Sequence, residues 1–453
     1  MIVVLSDLHF AEAQSTQVGP LRFNRNIPAE VFEAYFAEVN TFAKANGVKY
    51  IDLVLAGDIF EISRSALWLA GEERPYIDNE DVVIGSETEK VILKIIDAIA
   101  QEEYVEDTLA LFRNVERCFE CSIQIEYILG NHDRLINATP AIRTKIRGLL
   151  GLPGADAPFK HHLVLPDVDG EPFCLIRHGH EYDSTNFSVR TDRLAVIPTK
   201  FQEKDYQASC LGDITSVEFG AALPFLFLKL YGEEAILHNK KLNTLYRRLV
   251  DFDDVRPNTA LLSFLFSTPG VKKRKTWDLM KPCFEQIIRD LGRNKRFRRE
   301  IKKSAVLAEW KKVLLFGLLD LGIFDLIGTY WVVKRLMKMV SKQIKLDSQV
   351  QWAEKEELIQ DQHSNLKCVV SGHTHTPEAA LISTRRGEEC YYLNSGTWRN
   401  VIPATADYLE FGHLKSTAKI FIFRPNEKNG NGNGNGWSFH FINTESFGKY
   451  RYL

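Results

Sequence analysis

Cysteine is sparse. Seven in 453 residues, with no second pair near the lone Cys118/Cys121 spacing, exclude a disulfide framework and a four-cysteine zinc site. All seven read as free thiols, Cys118 and Cys121 as small residues packed at the end of a helical pattern, and the low density suits a reducing compartment. Excess charge is missing too: 57 Lys and Arg stand against 59 Asp and Glu, which argues against polyanion binding over the whole surface. The opening MIVVLSDLHF lacks the charged region, apolar core and cleavage site of a signal peptide, so a cytoplasmic protein is expected, at most peripheral to a membrane. An unbroken bilayer-length apolar run is also lacking. Leu314 to Val333 approaches the ~20 residues required, but Asp320 and Asp325 interrupt it, each costing on the order of 3 kcal/mol at a helix centre. No transmembrane span is expected. The run reads first as a buried helix and second as an interfacial helix flanked by Lys311, Lys312, Lys334 and Arg335.

What is present is a chain longer than the usual domain of roughly 100 to 200 residues, hence one large core with an insertion or a second domain. Ile2 to Leu5 and Ile51 to Leu55 read as buried strands, with helical spacing from Pro28 to Asn46 between them, a βαβ unit. Ser86 with Glu89 marks a capping box, before a stripe of Val91, Ile92, Ile95, Ile96 and Ile99. Ile123 to Leu129 is the next strand, and Leu163 to Leu165 with Phe173 to Ile176 form a hairpin-like pair. From about Phe187 to His363 the pattern turns helical. Strands return at Lys367 to Ser371, Ala379 to Ser383, Cys390 to Leu393, Thr417 to Phe423 and Trp437 to Ile442, the last two flanking an Asn/Gly run, 429–436, that reads as a hairpin tip. The expected division is therefore 1–186 for the first part of the core, 187–365 for a helical insertion or cap, and 366–453 for the second part with a C-terminal hairpin.

Polar fragments follow the strand-like runs: SDLHF, AGDIFE, LGNHD, RHGHEYD and SGHTHTPE. Each would place Asp, His or Asn at a strand exit, and several exits on one sheet edge make a metal cup. Asp7 and His9 are two residues apart, so both side chains point the same way and can grip one ion; His373 and His375 repeat the spacing. Mixed oxygen and imidazole ligands suit Mn, Fe, Zn or Ni. Two such ions held about 3.5 to 4 Å apart neutralise phosphoryl oxygens, lower the pKa of a water and clamp in-line geometry.

That order and spacing resemble the calcineurin-like metallophosphoesterases, dinuclear metal hydrolases of phosphate esters. The resemblance implies an α/β fold, a four-layer α/β/β/α sandwich of two mixed sheets carrying a large, mainly helical insertion. It assigns Asp7, His9 and His375 to a first metal, Asn131, His178 and His373 to a second, and Asp58 as the bridge, with Mn favoured. His132 matches the position that hydrogen-bonds the phosphate or protonates the leaving oxygen, and imidazole changes charge near neutral pH, as that duty needs. Asp133 is expected to fix the His132 tautomer. His180 is the lower-ranked acid and, with Arg134, a candidate substrate contact; for Arg134, as for Asp183, Arg177 and Arg399, a surface or supporting role is favoured. NSGTWRN, from Asn394, is similar to a stretch that follows GHxH and borders the site. The resemblance covers residues 1–183 and 366–400 and leaves the insertion uncovered.

The expected activity is hydrolysis of a phosphomonoester or phosphodiester by a metal-bound hydroxide. Between Val271 and Lys345 stand 20 Lys and Arg against 7 Asp and Glu, including KKRK from Lys272, which is either a solvated face or a surface for an anionic partner or nucleic acid. The first alternative is a nuclease tracking a phosphate backbone with that segment. Another is a pyrophosphohydrolase of a lipid-linked nucleotide: the UDP-diacylglucosamine pyrophosphohydrolases share the HG motif and a helical insertion, but have Arg where this chain has His132. A non-catalytic scaffold ranks last, since scaffolds of this fold have lost the catalytic histidine. Oligomeric state is not encoded in any of these motifs.

Overall fold

Two mixed β-sheets carry this α/β fold in a computed structural model that describes residues 1–23, 25–303, 330, 333–334, 348–385, 388–425, 427 and 436–449. The first sheet runs, in spatial order, Ser122–Ile128, Tyr50–Ala56, Ile2–Leu5, Gly412–Phe423 and Asn400–Pro403, with Ser438–Lys449 also paired to Gly412–Phe423. Its first three strands are parallel, in the register Leu5↔Leu55 and Ala56↔Ile128. The second runs Glu378–Arg385, Glu388–Asn394, Cys368–Ser371, Pro172–Arg177 and His162–Pro166, with Cys368–Ser371 and Pro172–Arg177 parallel. Parallel strands end on the same edge. That edge receives every expected metal motif.

Alternation along the strands explains why their runs are apolar throughout. Ile2 and Val4 share a core with Cys174, Ile176, Cys368 and Val370 of the other sheet. Val3 and Leu5, on the opposite face, pack with Phe32, Phe36, Ile92, Ile96 and Ile146 of the helices Ala29–Ala45, Glu87–Ala100 and Pro140–Leu150. A strand covered on both faces has no solvent side to show. Leu175 and Val369 face outward against Ala353 and Ile359. These last two lie on short helices, Val350–Ala353 and Glu357–Gln360, so residues placed by the 187–365 boundary in the insertion instead cover the second sheet.

The cap at Ser86 forms with a shifted return arm: Ser86 Oγ accepts from the Glu89 backbone N–H, while Glu89 Oε2 accepts from Gly85 N at 2.5 Å. Trp398, in the NSGTWRN stretch, stacks on Phe32 at 5.4 Å and meets Tyr35 edge-on at 4.8 Å, fastening the C-terminal part of the core to the first long helix.

The insertion has its own apolar centre, including Phe227, Leu245, Leu249, Phe264, Phe284 and Ile287. It also returns a two-residue strand, Val255–Arg256, to pair with Asn400–Pro403; neither strand was legible as one. Among the described residues, one stretch, Glu203–Tyr231, is long and apolar enough to cross a membrane, and 67% of its most apolar window is buried inside the protein. Apart from Tyr330 and Val333, the apolar run Leu314 to Val333 lies outside the described residues, as does the Asn/Gly tip except Gly436.

Phe32→Ala removes a fully buried ring in contact with Phe10, Phe36, Phe112 and Trp398. It should destabilise the protein by about 3 to 5 kcal/mol, read as a lower unfolding midpoint in urea.

Candidate metal centre

The loops that leave the parallel strands and carry the expected ligands hold an unusual backbone. Seven non-glycine residues among those described have positive φ, and five of them are Asp7, His9, Asp58, His373 and His375, at 48° to 68°. Such conformations cost roughly 1 to 2 kcal/mol each for L-residues and persist where the surroundings over-determine them. Here the loops brace one another. Asp7 N donates to Gly57 O at 3.0 Å, His9 N to Asp58 O at 2.9 Å, and Gly372 N to His178 O at 2.8 Å. Thr397 Oγ1 donates to Asp7 O at 2.7 Å and Asn394 Nδ2 to Gly372 O at 2.8 Å, so the NSGTWRN turn borders the cluster.

Three groups with metal-ligand spacing result among the described residues, the ligand atoms within each lying inside 4.8 Å of one another: Asp7/His9/His375 and Asp58/His178/His373, which hold six of the expected ligands, and His9/Glu61/His132 beside the first. Asp58 sits between the first two. Its Oδ2 is 3.8 Å from His9 Nε2 in the first group and 3.1 Å from His178 Nε2 in the second. Imidazole tautomers are set from behind. His178 Nδ1 donates to Ala56 O at 2.9 Å and His9 Nδ1 to the Glu61 carboxylate at 2.9 Å, which leaves each Nε2 as the atom that could take a metal. One atom tests the fit of a cation. Asn131 Oδ1 is buried without a hydrogen-bond partner among the described residues, an expensive arrangement for a polar atom unless an ion takes its lone pair. The donor set of carboxylate, amide and imidazole fits divalent transition metals.

The electrostatics agree. Burial pushes the Asp7 carboxyl up, but His178, His375 and His9 outweigh it and hold it well below the usual range; burial likewise opposes, and His178 and His132 overcome, at Asp58. Burial lowers the His178 imidazole, yet the Asp58 and Asp7 charges raise it to about 10. The buried carboxylates are thus held as anions by the positive charge of the imidazoles around them. His375 is opposite: burial, with Arg256 opposing Asp7, brings it down to about 3, a neutral ring at neutral pH.

Two glycines show how tightly the loops meet. A Cβ on Gly130 would collide with the carboxylate and backbone N of Asp58, and one on Gly372 with the Asp7 and Ser6 side chains. The Gly in GNHD and in SGHTH is therefore a close-approach residue, not a turn residue.

Three expectations change. Asp133 does not touch His132: its carboxylate accepts from Ile59 N at 3.0 Å, Gly130 N at 2.6 Å and Tyr127 OH at 2.5 Å, clamping two ligand loops, and burial together with the Asp58 charge raises it to about 7. The orienting role falls to Glu61, the last residue of AGDIFE, whose Oε1 is 2.6 Å from His132 Nδ1, with Ser63 Oγ at 3.1 Å. Burial raises the Glu61 carboxyl, but Arg64 and His132 outweigh it and keep it well below the usual range, so it is an anion. Arg134 is buried among Asn79 Oδ1 at 2.6 Å, Gln207 O at 2.8 Å and Asp213 Oδ2 at 3.2 Å, and joins the core to the insertion instead of meeting substrate. His180 is buried behind His178, ring centroids 5.5 Å apart, and burial lowers it to about 3; it does not line the cleft. Asp183 has a sharper role than its sequence signal carried, with Oδ2 3.3 Å from His373 Nε2.

The cluster opens into a cleft with a cavity volume of about 130 Å³, lined by His9, Asp58, Asn131, His132, His373 and His375 on the core side and by insertion residues opposite. The cations on its wall are Arg64 and Arg256; no Lys or Arg of the described basic segment, 272–303, lines it. Compared with known proteins by sequence, the chain matches no family model and no curated protein.

Gly130→Ala should push the Asp58 carboxylate out of place without disturbing the core. The expected result is a clear fall in bound metal per chain by elemental analysis, with the far-ultraviolet circular dichroism of the wild type.

Proposed function

We propose that this protein is a metal-dependent phosphoesterase of the calcineurin-like type, hydrolysing phosphate esters at a dinuclear centre. The observation that carries the proposal is Asp58, a buried carboxylate flanked by His9 of one ligand group and His178 of the other, beside the unpartnered Asn131 Oδ1. The back-to-back packing of two sheets with helices on both outer faces supports the four-layer sandwich that the resemblance implies. Asp7, His9, Asp58 and His375 would hold one cation and Asp58, Asn131, His178 and His373 the other, with manganese the first choice for reconstitution. When bound, such a pair neutralises phosphoryl oxygens and acidifies a water.

The chain's own residues supply the rest. His132 lines the cleft, and Glu61 Oε1 at its Nδ1 orients the ring, so Nε2 is the atom that would deliver a proton to the departing alcohol oxygen. Its backbone N–H donates to Asp58 Oδ1 at 2.8 Å, fixing the acid relative to the bridging carboxylate. Asp183 and Ala56 O hold the two second-group imidazoles in place. The intact His132 pairing weighs against a non-catalytic platform. The position of the described basic segment away from the cleft weighs against its tracking a nucleic acid there.

Asp58→Ala should abolish turnover and lower metal content, because it removes a ligand common to both groups. His132→Ala should keep its metal and lose about 10² to 10⁴ in rate. Elemental analysis of both variants beside hydrolysis of p-nitrophenyl phosphate and bis(p-nitrophenyl) phosphate reads the difference; equal metal content in the two contradicts the roles. Chelation should silence the wild type, and added manganese should restore it.

A further inference from the structure

The insertion does more than lie beside the cleft. Thr215, Ser216, Phe219 and Gly220 line it, the last three from a π-helical turn, Ser216–Ala221, followed along the chain by Phe252, Arg256 and Leu261. Turns of this kind are rare and recur at functional sites. The roof is wired to the metal cluster. Gly212 N donates to Thr185 O at 2.8 Å, and a Cβ on Gly212 would strike Asn186. Asn186 Nδ2 donates to Asp183 Oδ2 at 2.7 Å, and Asp183 reaches His373. Insertion and ligand loop therefore hold a fixed relation.

Two chemistries meet on the walls. Arg64 and Arg256 are both held by Asp253, which also lines the cleft, through Arg64 Nη1 to its carboxylate at 2.5 Å and Arg256 Nη1 to its carbonyl at 2.6 Å. Arg256 Nη2 also lies 3.0 Å from His375 Nδ1. A guanidinium can only donate, so that ring nitrogen accepts; ligation through His375 Nε2 requires the opposite tautomer, whose Nδ1–H cannot accept from Arg256. Phe219, Phe252 and Leu261 give the other wall an apolar surface.

We propose that the insertion makes the site selective for compact phosphomonoesters whose alcohol portion is apolar, with Arg256 reading the dianionic phosphoryl group and Phe219, Phe252 and Leu261 receiving the alcohol portion. This rests on the phosphoesterase proposal above. A monoester presents a second negative charge for a guanidinium, whereas the second substituent of a diester must share the same small cavity. A polynucleotide needs cations along both directions of its backbone, and among the described residues the cleft wall carries two, Arg64 and Arg256, both on Asp253. In the hydrolysis, water oxygen bonds to phosphorus, the ester P–O bond breaks, and the alcohol leaves with the His132 proton.

The test is calorimetric binding of non-hydrolysable phenylphosphonate, methylphosphonate and an oligothymidylate to the manganese-loaded protein, beside kcat/KM for p-nitrophenyl phosphate and its bis ester. Phenylphosphonate should bind at least about ten-fold more tightly than methylphosphonate, as burial of the ring predicts. Phe219→Ala should bring that ratio close to one, and Arg256→Gln should weaken both phosphonates and narrow the monoester preference. Leu261→Ala, at a half-buried position, gives the same comparison should Phe219→Ala not fold. Equal binding of the two phosphonates, tighter binding of the oligothymidylate, or a preference for the bis ester overturns the inference and leaves the phosphoesterase proposal standing. Hydrolysis of neither ester, with metal bound, overturns the phosphoesterase proposal, and the phosphonate ratios then report on the cleft alone.

Discussion

Two carboxylates, Asp7 and Asp58, are buried side by side at the edge of the first sheet, with 0% and 1% of their surface exposed. Removing such anions from water costs several kcal/mol each unless positive charge and hydrogen bonds compensate. His9, His178 and His375 crowd around them, and backbone N–H groups of His132 and His373 donate to them. Nothing about this arrangement is optimal for folding. Asp7, His9, Asp58, His373 and His375 occupy the left-handed region, and the glycines at 130 and 372 let the loops touch. Strain, buried charge and close approach concentrated in one place are the mark of a functional site, and the residues gathered here could hold a metal ion.

The sheets convert that demand into geometry. Two sets of parallel strands, one in each sheet, deliver their C-terminal loops to a single edge, and the inter-sheet core of Ile2, Val4, Ile176 and Val370 fixes their separation. A second set of buried charges attaches the insertion. Arg25 and Arg64 pair with Asp253 at 2.5 Å each, and Arg399 with Asp254 at 2.7 Å, so the acids entering the short strand Val255–Arg256 are gripped by three arginines of the core. Displacement of the insertion would therefore disturb Arg64, and through it Glu61 and His132.

Much of this was legible in the residues. Apolar runs closed by Gly or Ser and an Asp, His or Asn gave strand exits, because a strand buried on both faces is apolar throughout and its polar residues begin where it ends. All seven expected ligand residues meet at one edge or line its cleft. What was not legible depends on contacts across the chain. Glu61 lies in a fragment already singled out, yet its partner His132 is 71 positions away, and adjacency in sequence pointed to Asp133 instead. Arg134 was a candidate substrate contact for which a supporting role was favoured, and the partners that give it that role, residues 79, 207 and 213, could not be read from its neighbours in the chain. The helical pattern of 350–360 could not reveal which sheet it covers, nor could two residues, Val255 and Arg256, announce a strand.

The claim on which all of this turns is that Asp58 joins two cations. Electron paramagnetic resonance of the protein reconstituted with manganese measures that directly, since ions sharing a carboxylate bridge are magnetically coupled. The account predicts a coupled pair at full loading, replaced by isolated ions or none in Asp58→Ala. A wild-type spectrum of isolated manganese at every loading, one ion to a chain, would contradict it.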